Sequence, residues 1–247
     1  MRADIVILSK TEELLSTALA SVCKHVAKSS VGRIVVGWTG DEQFEEQDTS
    51  LLGIDLAVES LSHYNFAQNN NYLVDKHCFS EAVLFMNDDV ELVEDSVTKC
   101  LKRLEADPTA GTVGVKLLYR DKTIQHAGQF IVVDNGKFRG CGHLYWKQPD
   151  QELQPAVVAG NTGAFMMVRK EDFLRAGGFN ESYKNCFEDV ELNLKLIKMK
   201  KHNICDCSTW AWHSESQTRK QAKCQEDHDR LRDFIEASLI EIGGGTR

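Results

Sequence analysis

Residues Glu81 to Leu92 read EAVLFMNDDVEL. The apolar run Ala82-Val83-Leu84-Phe85-Met86 stops abruptly at Asn87-Asp88-Asp89. A run of that length bounded by polar residues predicts a buried strand. Adjacent carboxylates at its end are costly to bury without a partner. In an open α/β sheet, the carboxyl ends of the strands are where ligands bind. A carboxylate pair there suits a hard divalent cation, Mg²⁺ or Mn²⁺, which prefers oxygen ligands. The same tripeptide also suits a solvated strand-to-helix turn with the Asp residues as turn and capping groups. The tripeptide alone leaves both open.

Working outward, Asp4 to Leu8 and Arg33 to Trp38 read as strands around a helix with Leu14, Leu15, Ala18, Leu19 and Val22 at helical spacing. That is a βαβ unit, hence a parallel pair. Ser9 with Glu12 has the form of a capping box. Thr39 to Ser50 reads as an acidic loop, and Ile54 to Val58 as a third strand. In Ser62 to Tyr72, SHYNFAQNNNY, a helix start is expected, either purely structural or facing an anionic ligand. Asp95 is placed to cap a helix with Val97, Cys100, Leu101 and Leu104 inward, ended by Asp107-Pro108.

Val113 to Tyr119 and Thr123 to Val133 read as a strand and a returning strand about the turn Arg120-Asp121-Lys122, so the sheet is expected to be mixed. Gly136 to Pro155 has no period and reads as a long loop. Ala164 to Val168 reads as a strand, and Lys170 to Ala176 as a short helix ended by Gly177. Glu188 and Asp189 open a helix running to about Lys201, with Val190, Leu194 and Ile197 apolar. They are either ordinary first-turn acids or a general base. Asn203 to Trp212 is a strand ending at His213, with Trp210 and Trp212 on one face. Gln221 to Ile240 reads as a helix with Leu231, Phe234, Ile235 and Leu239 on one face, stopped by Gly243-Gly244-Gly245.

The 247 residues suffice for one large α/β domain or two small ones, and 42% hydrophobic residues make a sizeable core. A net charge of −8 argues against a nucleic-acid footprint, which needs clustered Lys and Arg. No apolar stretch is long enough to span a membrane, and Ile5 to Leu8 is too short for a secretory leader. The eight scattered cysteines read as reduced thiols of a cytoplasmic protein. Cys205-x-Cys207 with Cys224-x-x-x-His228 has zinc-ligand residue types, but Cys-x-Cys is not the usual zinc spacing, and buried thiols are expected instead.

Taken in order, five segments carry a resemblance: NDDV at Asn87, the GVKLLY and TIQHAG pair around Val115 and His126, GNTGAFMMVRKEDFLRAGGF from Gly160, FEDVELNLKL from Phe187, and HSESQTR from His213. Over Asp4 to Arg219 the chain resembles an inverting family-2 glycosyltransferase of the GT-A fold, close to the rhamnosyltransferase-like group. The resemblance implies an α/β, Rossmann-like domain with a mixed, mainly parallel central sheet flanked by helices over residues 1–220. Residues 221–247 would add a C-terminal helix packed on the same domain and a short Gly-rich tail.

The resemblance also implies roles. Asn87-Asp88-Asp89 matches the family's D-x-D-type motif, with Asp89 a metal ligand and Asp88 facing the metal's water or the donor's ribose. His213 matches the histidine that completes the metal site, for Mn²⁺ or Mg²⁺. Asp189 matches the catalytic base, with Glu188 beside it as the second candidate. Ser9, Lys10, Glu12, Asn65, Phe66, Asn69 and Gly163 fall in donor-lining segments, and Arg219 matches a basic residue near the diphosphate. The family's second strand usually ends in an Asp that contacts the nucleotide base. Here the stretch is Gly37-Trp38-Thr39-Gly40-Asp41, so the contact moves to Asp41 or is lost, and Trp38 is an alternative platform for the base.

The implied partners are a nucleotide-diphosphate sugar, UDP-linked by preference, and a hydroxyl acceptor of a glycan or other molecule. Acceptor recognition is expected in Gly136 to Pro155 and Ser182 to Cys186. A catalytically inactive sugar-binding domain and a sugar nucleotidyltransferase are the competing readings. The second lacks an N-terminal Gly-rich phosphate loop.

Overall fold

The computed structural model describes residues 1–41, 53–184, 186–214 and 225–243. Strand β1 (Ala3–Ser9) leads to helix α1 (Glu12–His25), a single 3-10 turn (Lys28–Ser30) and β2 (Val31–Trp38). Then come β3 (Asp55–Ser60), α2 (Phe66–His77), β4 (Ala82–Met86), β5 (Val90–Leu92) and α3 (Ser96–Ala106). Strand β6 (Ala110–Leu118) and the short β7 (Ile124–His126) precede β8 (Gln129–Asp134) and β9 (Lys137–His143). The chain continues through β10 (Ala156–Val158), β11 (Phe165–Arg169), α4 (Lys170–Arg175), α5 (Glu188–Lys198), β12 (His202–His213) and α6 (Gln225–Gly243).

Among the described residues the main sheet runs β10-β12-β6-β11-β4-β1-β2-β3, with β5 on β12 and β7 on β6. The half containing β4, β1, β2 and β3 is parallel. Strand β11 enters antiparallel between β4 and β6, so the sheet is mixed as expected. Strands β1, β4 and β6 are buried along their whole length. Such strands need cover on both faces, which is why their apolar runs do not alternate with polar residues. Ile5, Ile7, Leu84 and Met86 point to the layer holding Leu15 and Val22 of α1 and Val97 and Leu101 of α3. Val6, Leu8, Val83 and Phe85 point to the opposite layer, with Leu73 of α2, Phe173 of α4 and Leu192 of α5. The result is a three-layer α/β body.

At the end of the sheet away from Asn87-Asp88-Asp89, Asp4 ties three segments together. Its buried carboxylate accepts from the backbone N–H of Arg33 at 3.0 Å, Phe79 at 2.6 Å and Ser80 at 2.7 Å, and from the Ser80 hydroxyl at 2.7 Å. Helix α6 packs on the same body. Its Leu231 and Ile235 meet Phe138 of β9 and Val190 of α5, and Asp227 accepts from the backbone N–H of Lys184 and Cys186.

Several expectations are corrected. Ser9 and Glu12 form no capping box: Thr11 is the residue before α1, and the Ser9 hydroxyl turns to Asp88 and to the Thr11 N–H. The returning strand expected over Thr123 to Val133 is two, because Gly128 at φ 104° bends the chain between β7 and β8. Gly136 to Pro155 is not wholly a loop, since β9 pairs with β8 in a second sheet. Helix α5 stops at Lys198, and Lys200 at φ 65° turns the chain into β12. It carries two apolar stripes because it lies between the sheet and α6: Leu192 and Leu196 face the sheet, Val190 and Leu194 face α6, and Ile197 is exposed. Cys186 is disulfide-bonded, so the expectation of eight reduced thiols fails there. Sequence spacing does not report which cysteines meet in space. The loop expected to Ser50, Arg219 and Cys224 lie outside the described residues.

Replacing Asp4 by Ala strands three backbone N–H groups in a buried site. It is expected to lower the unfolding free energy in urea by about 3 kcal/mol. A loss below about 1 kcal/mol would show that Asp4 does not hold the strand starts together.

Candidate active site

The antiparallel pairing of β5 with β12 decides the first half of the site. It sets Val90 opposite His213, and the Ser214 N–H donates to the Asp89 carbonyl at 3.2 Å. Asp89 and His213 are thereby brought face to face, with Asp89 Oδ1 3.1 Å from His213 Nε2 and both side chains buried. Asn87 sits beside them, its Nδ2 3.5 Å from the same imidazole nitrogen. The Asn87 N–H is fixed by the Ala164 carbonyl at 3.0 Å. Adjacent ligands on an octahedral Mg²⁺ or similar ion lie about 3 Å apart, given metal–oxygen bonds near 2.1 Å. The observed oxygen-to-nitrogen spacing fits a pair of such ligands. Among the described residues no group of three or more His, Cys, Asp or Glu is arranged to hold a metal ion.

Asp88 points elsewhere. Its Oδ2 accepts from the Ser9 hydroxyl at 2.6 Å at the end of β1. Burial pushes its carboxyl up from 3.8 to about 6, and the neighbouring charge of Asp89 pushes the same way, against the Ser9 hydrogen bond and Lys10. The two aspartates thus have different surroundings: one faces an imidazole, the other a hydroxyl.

The second half is built by α5 and the loop before β11. Phe187 takes the left-handed conformation, φ 75°, immediately before the helix. A bulky residue there is a strained choice of the kind found at functional sites. It sets Glu188, which is buried, and Asp189 at the helix start. Asp189 Oδ2 accepts from the Gly163 N–H at 2.9 Å and from Gln129 Nε2 at 3.3 Å, and Oδ1 from the Val190 N–H at 2.7 Å. Gly163 is required by close approach, since a Cβ there would lie 2.8 Å from Phe66 Cζ.

Beneath this lies a buried amide cluster. Asn193 Nδ2 donates to the Asp189 carbonyl at 2.7 Å and the Asn161 carbonyl at 2.8 Å. Its Oδ1 accepts from the Thr112 hydroxyl at 2.6 Å and from the Asn161 N–H at 3.2 Å. Asn203 joins through the Thr112 N–H and the carbonyl of Asn193.

Both halves line one cleft of about 300 Å³. Its walls include Asn87 and His213, Glu188 and Asp189, Phe66 and Gly163, and Gln125, Gln129, Cys141 and His143. His126 lies behind that last wall, with its Nδ1 2.8 Å from Nδ1 of His143. Burial, then the neighbouring His143, pushes its imidazole well below the usual histidine range.

The other expected donor residues divide. Asn65 accepts from the Gln68 N–H at 2.8 Å as the cap of α2, and Asn69 accepts from the Asn65 N–H at 2.6 Å, so both act in closing that helix start. Lys10 and Glu12 are exposed near the end of β1. Trp38 pairs in register with Ser9 but is buried in the core, away from the cleft lining. Sequence reasoning missed Gln129 as an Asp189 partner and Asn193 as its anchor. An amide four residues after Asp189, on a helix buried against the sheet, was the available signal for Asn193.

The mixed α/β architecture, with a mainly parallel central sheet flanked by helices, is the GT-A fold. The structure agrees with that of GalNAc-T7 solved with UDP, GalNAc and Mn²⁺, at TM-score 0.70 and 11% identity over 86% of this chain and 44% of that one. It also agrees with the mannosyltransferase PcManGT from Pyrobaculum calidifontis with GDP-Man and Mn²⁺, at TM-score 0.64 and 14% identity over 97% and 69%. No family model matches the chain. In sequence it is 33% identical over 165 residues to the O-antigen biosynthesis protein RfbC of Myxococcus xanthus, 64% of this chain and 12% of that protein. It is 28% identical over 145 residues to the rhamnosyltransferase WbbL of Escherichia coli K12, 54% of each. In sequence the chain is thus similar to proteins of O-antigen biosynthesis and rhamnosyl transfer, and in fold to GT-A glycosyltransferases. It spans from 12% to 54% of the length of these two relatives.

A carboxyl whose proton affinity is raised by folding weakens the fold as pH rises. For Asp88 the penalty is absent below about 4 and complete above about 6. With EDTA present, Asp88→Asn is therefore expected to gain stability over the parent between pH 4 and pH 7, by up to about 3 kcal/mol in urea unfolding. A pH-independent difference would contradict the burial of this carboxyl.

Proposed function

We propose that the chain is a metal-dependent, inverting glycosyltransferase domain. It would move a sugar from a nucleotide-diphosphate donor, UDP-linked by preference, to a hydroxyl of a glycan. The observation that carries this reading is the shared cleft: His213, which faces Asp89, and the N–H-oriented carboxylate of Asp189 line the same space. The solved structures named above contain UDP or GDP-Man with Mn²⁺, which supports a nucleotide sugar and a divalent ion.

Asp89 and His213 would hold Mn²⁺ or Mg²⁺. When bound, the ion supplies Lewis-acid stabilisation of the charge on the departing diphosphate. Asp189 is held by three N–H donors, so its orientation is set before substrate arrives. It would take the proton of the acceptor hydroxyl as that oxygen attacks the anomeric carbon. Because no protein carboxylate bonds to the sugar, one displacement completes the transfer and the anomeric configuration inverts. Glu188, buried at the cleft wall, is the neighbouring acid.

Among the described residues no helix is long and apolar enough to cross a membrane. Six free cysteines among the described residues support a cytoplasmic setting, and the disulfide of Cys186 is the observation against it.

Incubation with UDP-sugars and Mn²⁺, read as free UDP by chromatography, tests the reading. Slow acceptor-free hydrolysis that EDTA stops is expected. Asp189→Asn should lower turnover about 10²-fold or more with nucleotide affinity kept. Asp89→Asn should weaken Mn²⁺-dependent UDP binding. A fully active Asp189→Asn protein would remove the base assignment, and release of pyrophosphate would point to nucleotidyl chemistry.

A further inference from the structure

The turn after β9 displays an aromatic step beside the cleft. Tyr145 and Lys147 both take the left-handed conformation, φ 59° each, and Trp146 stands between them. Non-glycine residues rarely adopt this conformation, and strain of this kind persists only where the surroundings enforce it. Here the backbone enforces it. The Lys147 N–H donates to the Ile124 carbonyl and the Ile124 N–H to the Gln148 carbonyl, both at 2.7 Å. The Gln148 N–H closes back on the Tyr145 carbonyl at 2.9 Å. The turn is pinned to β7 and presents its side chains ready-formed.

What it presents is largely ring. Trp146 is 55% exposed and Tyr145 41%. The single polar atom of the indole is already committed, since Trp146 Nε1 donates to the Tyr119 hydroxyl at 3.2 Å. The Lys147 ammonium lies 4.7 Å from the indole centroid. With the ammonium over one face of the indole, a partner meets the remaining apolar ring surface of Trp146 and that of Tyr145, with the Tyr119 hydroxyl at the indole edge.

We infer that Tyr145 and Trp146 form a binding platform for sugar rings of a neutral glycan, behind the end of the acceptor that enters the cleft. This rests on the transferase reading above. Three observations choose this occupant. The first is continuity: His143 lines the cleft, and Trp146 follows three residues later, within about 11 Å along the backbone. A short oligosaccharide spans that distance. The second is size. The two exposed rings offer on the order of 200 Å², against roughly 800 Å² per partner in a standard protein interface. The third is charge. Among the described residues that line the cleft none is Lys or Arg, whereas Glu188 and Asp189 are present, which disfavours an anionic acceptor end. A sugar ring has a C–H face that packs on the electron-rich face of an aromatic ring, and hydroxyls at its edge for the polar rim.

Electrophoresis of the whole chain through native gels containing dextran, a β-1,3-glucan or a rhamnan tests this. At least one of these should retard the parent. Trp146→Ala should raise the apparent dissociation constant about tenfold or more, and Trp146→Phe less. Unchanged melting temperatures show that both variants fold. A parent that none of the three retards, or a Trp146→Ala protein retarded like the parent, overturns the platform. The parent's hydrolysis of UDP-sugar is read separately. Trp146-dependent retardation without hydrolysis upholds a glycan platform and removes the transferase reading on which its acceptor role rests.

Discussion

The site depends on one buried polar contact set, the amide cluster of Asn161, Asn193, Asn203 and Thr112. It joins β6, the loop before β11, α5 and the start of β12. Within it every amide nitrogen donates, and the side-chain oxygens of Asn193 and Asn203 each accept from Thr112, so exchanging a member for an apolar group strands its partners. Asn193 reaches the Asp189 carbonyl, and the neighbouring Gly163 N–H reaches the Asp189 carboxylate. The cluster thus fixes one carboxylate from both its main chain and its side chain.

The other half of the cleft depends on a three-residue strand. Without β5, the chain after Asn87-Asp88-Asp89 would have no register with β12, and Asp89 would not meet His213. The same turn sends Asp88 toward β1 and Ser9. Adjacent residues on a tight turn point apart, so a shared motif becomes two different environments. The β8–β9 pair then closes the wall that faces α5, bringing Gln129 and Cys141 to the cleft.

Strands β1 and β4 were legible because each carries an unbroken apolar run covered on both faces, a pattern that needs no knowledge of its neighbours. Strand β5 was not, since Val90-Glu91-Leu92 acquires its identity only by pairing more than a hundred residues downstream. Strand β9 was hidden because KFRGCGH, with Gly140 and Gly142, has no clear alternation. Asp89, His213, Glu188 and Asp189 were singled out through motif order; Asp89 meets His213, and His213, Glu188 and Asp189 line one cleft. Gln129 and Asn193 were not, because an amide's partner is set in space and leaves no spacing rule. Asn65 and Asn69 stood in an expected donor segment, yet their side chains are occupied in closing α2. Trp38 ended the expected strand, yet its ring is in the core.

Under the proposed function Asp89 and His213 would form one divalent-ion site serving a nucleotide diphosphate. Pulsed electron paramagnetic resonance of Mn²⁺ bound together with UDP tests it most directly. Nitrogen coupling from a coordinated imidazole is expected in the parent and absent in His213→Ala. A protein-bound Mn²⁺–UDP complex without that coupling in the parent would contradict it.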